Sequence, residues 1–297
     1  MILSSLIKRN TKMFFKDKGL FFTSLITPLI LLVLYTTFLG NVYKDSFAAG
    51  LGGFPIEESV LNSVVAGQLV SSLLAVSCVT VSFCSNMLMV QDKVSGAIND
   101  LSITPVKPAT LALGYYISTL FSTLIISLIA AGAGLAYIAV EGWYLTAADI
   151  LMMLLDVVLL VFFGTALSSA INFFLSSQGQ ISAVGSIVSS VYGFICGAYM
   201  PISQFGEGLQ KVLMLLPGTY ATSLLRTHLM RGAIAEVEKV GFPPQVIETL
   251  KDTADCNIYF FGERIADWVK LTVLSGSVIL LVAIYVALNM TARKRRK

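Results

Sequence analysis

Few side chains in the apolar blocks of this sequence could do chemistry, and Asp156, in "LMMLLDVVLL", is the foremost of them. A charge at the centre of a bilayer costs about 2.5–3.5 kcal/mol on insertion scales, so such a group must face a helix bundle, paired, protonated or hydrated. It reads either as a site for a substrate cation or a proton, or as a hydrogen-bond partner of a Ser, Thr or Tyr on a neighbouring span. The second reading prevails at this stage, because one carboxylate without a second ionisable group makes a poor relay. His228 is the single histidine and argues against a His-based metal or acid–base centre. Cys78, Cys84 and Cys196 lie in apolar blocks, where they act as small hydrophobes, and Cys256 lies in a polar segment. Neither a disulfide framework nor a metal-ligand spacing is present. The sequence also lacks a G-x-x-x-x-G-K-[ST] phosphate cradle, a G-x-S-x-G elbow and an H-E-x-x-H helix, so neither ATP binding through that cradle nor those hydrolytic chemistries belong to it.

The elements that would position Asp156 are long and apolar. Of 297 residues, 56% are hydrophobic and only 12% charged, with a mean hydropathy of +0.82, against about 25% charged in soluble domains. Crossing a hydrocarbon layer takes roughly 20 helical residues. Six apolar blocks meet that need, at 19–40, 61–90, 109–140, 148–175, 179–200 and 269–290. The expectation is an all-α integral membrane protein with one domain, 1–297. Residues 1–49 read as a first span with its flank and not as a cleaved leader, since the apolar run is too long for one. Lys8, Arg9, Lys12, Lys16 and Lys18 at one end and "RKRRK" (293–297) at the other place both termini in the cytoplasm of a cell-membrane protein. The 91–108 loop then lies inside, and the 41–60 loop and the 201–268 segment lie outside.

Three shorter pieces complete the plan. Within 1–18, Leu3, Leu6, Ile7, Asn10 and Phe14 share one helical face, with cations on the rest, the pattern of a helix lying in the lipid interface. Pro201 to Pro217, too short to cross, reads as a re-entrant hairpin or gate entering from outside and turning at Gly206, Gly208 and Pro217, or else as a helix resting on the outer surface. The loop 91–108 holds a short helix with Val94, Ile98 and Leu101 on one side, which suits either a plug for a partner's groove or a solvated connector.

In that loop the chain resembles the ABC-2 type permeases, the six-helix membrane subunits of ABC exporters. Asp92, Lys93, Gly96, Ile98, Leu101, Thr104 and Pro105 match the family's inner-loop pattern, with Ala97 and Asn99 where Thr and Glu are common. "GAYMPIS" (197–203) and "LLPGTYATSLLR" (215–226) match a second pattern after the fifth helix. The resemblance implies that Asp92 to Pro105 is a coupling helix seated on a separate ATPase subunit, with 175–181 as a smaller second contact. It implies two ATPase copies that carry ATP and Mg, a second permease copy forming a homodimer or heterodimer, no cofactor bound directly, and no nucleic acid. The second and fifth helices of two copies would line the substrate path, for which Tyr192, Phe194, Met200 and Asp156 are candidates. An apolar, aromatic lining suits amphipathic or hydrophobic small molecules or peptides, as in multidrug export; lipid or glycan cargo is the alternative. An ATP-independent channel or carrier would need ionisable groups on several spans, and a sensor would need more than the 201–268 segment offers.

Overall fold

The structure, a computed structural model, describes residues 2–50, 56–103 and 106–294, without the side chains of 102–103 and 292–294. It is a helical bundle around one central helix. The elements are α1 (Ile2–Lys16), α2 (Lys18–Leu34), α3 (Gly40–Gly50), α4 (Glu58–Val94), α5 (Ala97–Ile103), α6 (Pro108–Glu141), α7 (Ala147–Asn172), α8 (Gln178–Ile195), α9 (Glu207–Leu213), α10 (Pro217–Lys239), α11 (Pro244–Thr253), a two-stranded hairpin β1 (Tyr259–Phe260) and β2 (Glu263–Arg264), and α12 (Asp267–Lys294).

The central helix is α4, which packs against α2, α6, α7, α8 and α10. Its sequence explains the role: "SVVAGQLVSSLLAVSCVTVSFCSN" alternates small residues with branched aliphatics, so neighbouring backbones approach closely. Gly67 sits against Leu229 and Met230 of α10, and Gly164 of α7 sits against Cys78 and Ser82 of α4. Polar ties cross the same interior, with the Asn86 amide donating to Ser168 and Ser169 of α7.

Five helices among the described residues are long and apolar enough to cross a membrane: Lys18–Gly50, Glu58–Val94, Pro108–Glu141, Ala147–Asn172 and Asp267–Thr291. The remaining block expected to span is α8, of eighteen residues with Gln178 and Gln180 in its first turn. It nevertheless runs from the α7 C-terminus to Gly197, whose carbonyl accepts from Arg226 at the opposite end of the bundle. Helix α1 and the C-terminal part of α12 lie at one end, because Arg9 of α1 bonds Asp92 near the end of α4, and Tyr285 of α12 touches Met89.

Two boundaries differ from expectation. The first apolar helix does not stop at residue 40. It passes through a π turn (Tyr35–Leu39) into α3, because Tyr43 and Phe47 bury against α4 and Lys44 pairs with Glu58. The 201–268 segment is not only a peripheral lid either. Its helix α10 is a core element packed on α4, α7 and α12, with buried residues on most of its circumference.

Candidate coupling elbow and groove

At the end that carries α1, α4 gives way to α5 through Gly96. Its φ of +81° is a left-handed conformation that glycine adopts without steric cost. Asp92 and Lys93 precede this turn, and both point into the chain. The Asp92 carboxylate accepts from Arg9 Nη1 at 2.8 Å, Arg9 Nη2 at 3.1 Å and the Tyr115 hydroxyl at 2.5 Å. The Asp92 hydrogen bond raises the Arg9 guanidinium further above its ordinary value, so it stays charged. Lys93 donates to the Asn172, Phe173 and Leu175 carbonyls at 3.0, 2.6 and 3.0 Å, a cation capping the negative end of α7. Of the residues matched to the family's inner-loop pattern, Asp92 and Lys93 thus spend their side chains within the chain, one as a buried carboxylate and the other as an end cap. Ile98 and Leu101 are half-buried on α5, while Val94, Asn99 and Asp100 are exposed. Thr104 and Pro105 lie outside the described residues.

Arg9 is held there by α1, whose buried face is Leu6, Asn10 and Phe14, the spacing the periodicity predicts. Lys8, Lys12 and Lys16 are exposed. Arg9 therefore leaves the set of cations available to headgroups and becomes the tie between α1 and the elbow.

At the opposite end, Pro201 is buried, Gly206 caps α9, and Pro217 opens α10. Gly208 lies inside α9, so it is no turn; the chain bends instead at Met214–Leu216, between the two helices. Asp255 anchors this region. It accepts from the Ile202 and Ser203 amides at 2.5 and 3.3 Å and from Arg226 at 2.9 Å, and Arg226 also donates to the Gly197 carbonyl at 2.6 Å.

Asp156 is not alone. His228 Nδ1 of α10 lies 2.5 Å from its Oδ2, so the second ionisable group missing from the sequence reading is present, and the expected Ser, Thr or Tyr partner is replaced. The sequence does not pair His228 with Asp156, because the segment 201–268 reads as lying outside the spans. The available signal was Pro217 at a helix start, followed by Tyr220, Leu224, His228 and Gly232 at four-residue spacing, all buried. From Asp156 to Asn172 α7 rises about 24 Å, so the pair sits toward the end remote from the elbow.

A groove of about 600 Å³ runs between α2, α4 and α8. Thr23, Thr27, Ser182, Ser186 and Ser189 line it together with Ile30, Phe83 and Met87, giving hydroxyls spaced along an apolar wall. Of the residues expected on a substrate path, none lines it. Tyr192 is buried against Gly218, Met200 is half-buried, and Asp156 is covered by His228. Phe194 borders it, stacking edge-on with Tyr199, which does line the groove.

This arrangement defines an all-α, multi-pass membrane protein in which the elbow at Gly96 and the groove share helix α4, without a phosphate cradle in its sequence. The family model for the ABC-2 type transporter matches residues 2–230. The chain belongs to the ABC-2 type transporter family, whose members are transport membrane subunits that normally pair with an ABC ATPase. No curated protein matches the chain.

Proposed function

We propose that the chain is the permease subunit of an ATP-driven exporter that moves amphipathic or hydrophobic small molecules or peptides out of the cytoplasm. The observation that carries this reading is the groove between α2, α4 and α8, apolar with spaced hydroxyls. A single chain leaves α8 largely uncovered, with only Ile181, Tyr192 and Gly193 buried along it. A second permease copy facing this side would convert the groove into an enclosed path. Six crossings, with α8 as the fifth, keep both termini in the cytoplasm of a cell-membrane protein. Two ATPase subunits, carrying ATP and Mg, would seat against the elbow, on Val94 at the end of α4 and the exposed Asn99 and Asp100 of α5, and on the 175–181 turn. ATP-driven closure would push α5, and the region Pro201–Pro217 would gate the far end.

The test is reconstitution of the chain with its ATPase in proteoliposomes containing a fluorescent amphipathic dye. Dye movement should require ATP, and Ser186→Trp, filling the groove, should stop movement while leaving ATP hydrolysis. Dye crossing without a hydrolysing partner would refute the reading; selective movement of labelled lipid in place of dye would assign the groove to lipid cargo.

A further inference from the structure

The hairpin β1–β2 turns through Phe261 and Gly262, with Phe260 opposite Glu263 and Tyr259 opposite Arg264. Both turn residues have positive φ, +51° and +89°. A two-residue loop of this kind favours Asn-Gly or Asp-Gly, because the first position must adopt a left-handed conformation. A phenylalanine there is a genuine outlier, with a strained backbone. The fold gains little burial in return, since Phe261 is 73% exposed. Its ring rests only edge-on against Phe260, at 4.7 Å between centroids. The inner side of the hairpin is already sealed without it, by Ile258, Phe260 and Ile265 packing around Leu213 and Met214.

The tip lies close in the chain to an apolar helix long enough to cross a membrane. Only residues 265–266 separate β2 from α12, a membrane-spanning helix whose first turn presents Trp268, 69% exposed. Asp267, which is exposed, opens this helix one residue before Trp268, and its carboxylate holds the buried Lys270 ammonium, which also donates to the Cys256 carbonyl. An exposed carboxylate beside an exposed tryptophan at the first turn of a spanning helix is the pattern of the boundary between hydrocarbon and headgroups, where Trp and Tyr rings concentrate.

We propose that Phe261, together with Trp268, anchors this end of the molecule in the lipid headgroup region at the face where α12 enters the bilayer. The proposal rests on the multi-pass membrane character of the chain and is independent of transport. The ligand is the lipid surface itself, and the strained turn exists to aim an aromatic ring into it.

The test uses the full chain in lipid nanodiscs. In a Trp143→Phe/Trp268→Phe background, Phe261→Trp should show blue-shifted emission, quenched roughly twofold or more by lipids brominated near the top of the acyl chain and little by aqueous iodide. In a Trp143→Phe background, the remaining native Trp268 should behave in the same way. Phe261→Asn suits the turn, so it should leave the thermal midpoint unchanged or raised, yet reduce lipid quenching of Trp268. Strong iodide quenching without a bromolipid effect, a lowered midpoint for Phe261→Asn, or bromolipid-insensitive emission combined with cross-linking between copies through position 261 would each overturn the proposal.

Discussion

Replacing Arg9 or Asp92 should destabilise the chain through the elbow itself, and the size of the effect follows from the geometry. Three hydrogen bonds converge on the Asp92 carboxylate, two from Arg9 and one from Tyr115, and its side chain is 4% exposed. Removing one partner of a fully buried pair costs about 3–5 kcal/mol. The Arg9 side chain is 31% exposed, so water recovers part of that cost, and Arg9→Ala should lose roughly 2–3 kcal/mol. Asp92→Ala strands the Tyr115 hydroxyl and the guanidinium and should lose a similar amount, roughly 2–3 kcal/mol. With both groups gone no charge is left unpaired, so the double variant should lose roughly 1–2 kcal/mol less than the sum of the singles. Thermal unfolding in nanodiscs would read each single change as a fall of roughly 4–12 °C. Additive losses would refute the reasoning. So would an Asp92→Ala variant with an unchanged midpoint and lost coupling to the ATPase, since that would make Asp92 a direct contact with the partner.

Gly67→Ala should destabilise by about 1–3 kcal/mol, because its Cβ would stand 2.8 Å from Met230 Cγ and 2.9 Å from the Leu229 carbonyl oxygen; a midpoint equal to wild type would show that α4 and α10 are not so tightly packed. All four cysteines are buried, and burial pushes the Cys256 thiol up to about 12. Maleimide should therefore leave Cys256 unlabelled in the native protein at neutral pH and label it only after denaturation, since the thiolate is the reacting form and stays scarce until the pH approaches the raised value. Rapid native labelling would contradict its burial.

Much of the bundle was legible because apolar length and periodicity are local properties. The α1 face and the long helices follow from residues within a turn or two of one another. The short helix expected to carry Val94 with Ile98 and Leu101 is, by contrast, interrupted at Gly96, which leaves Val94 on α4. The ionic pairs were not legible, because Arg9 and Asp92 are 83 positions apart and Asp156 and His228 are 72 apart. In sequence, Asp92 and Lys93 read as part of an inner-loop pattern; only packing shows that one is enclosed by α1 and α6 and the other spent on the end of α7. Helix α10 was hidden for the opposite reason. Arg226, Thr227, His228 and Arg231 give it a polar look, yet Arg226 and His228 are buried and satisfied by acids from elsewhere in the chain.

The grip of Lys93 on three consecutive-region carbonyls has a mechanical consequence. It fastens the foot of α4 to the connector leading into α8, and those two helices are opposing walls of the groove. One ammonium thus acts as a rivet between the two walls at their base. A thrust delivered beside it at α5 would tilt the pair as a lever about that fixed point, leaving the opposite rim, far from the rivet, as the place where their separation changes most.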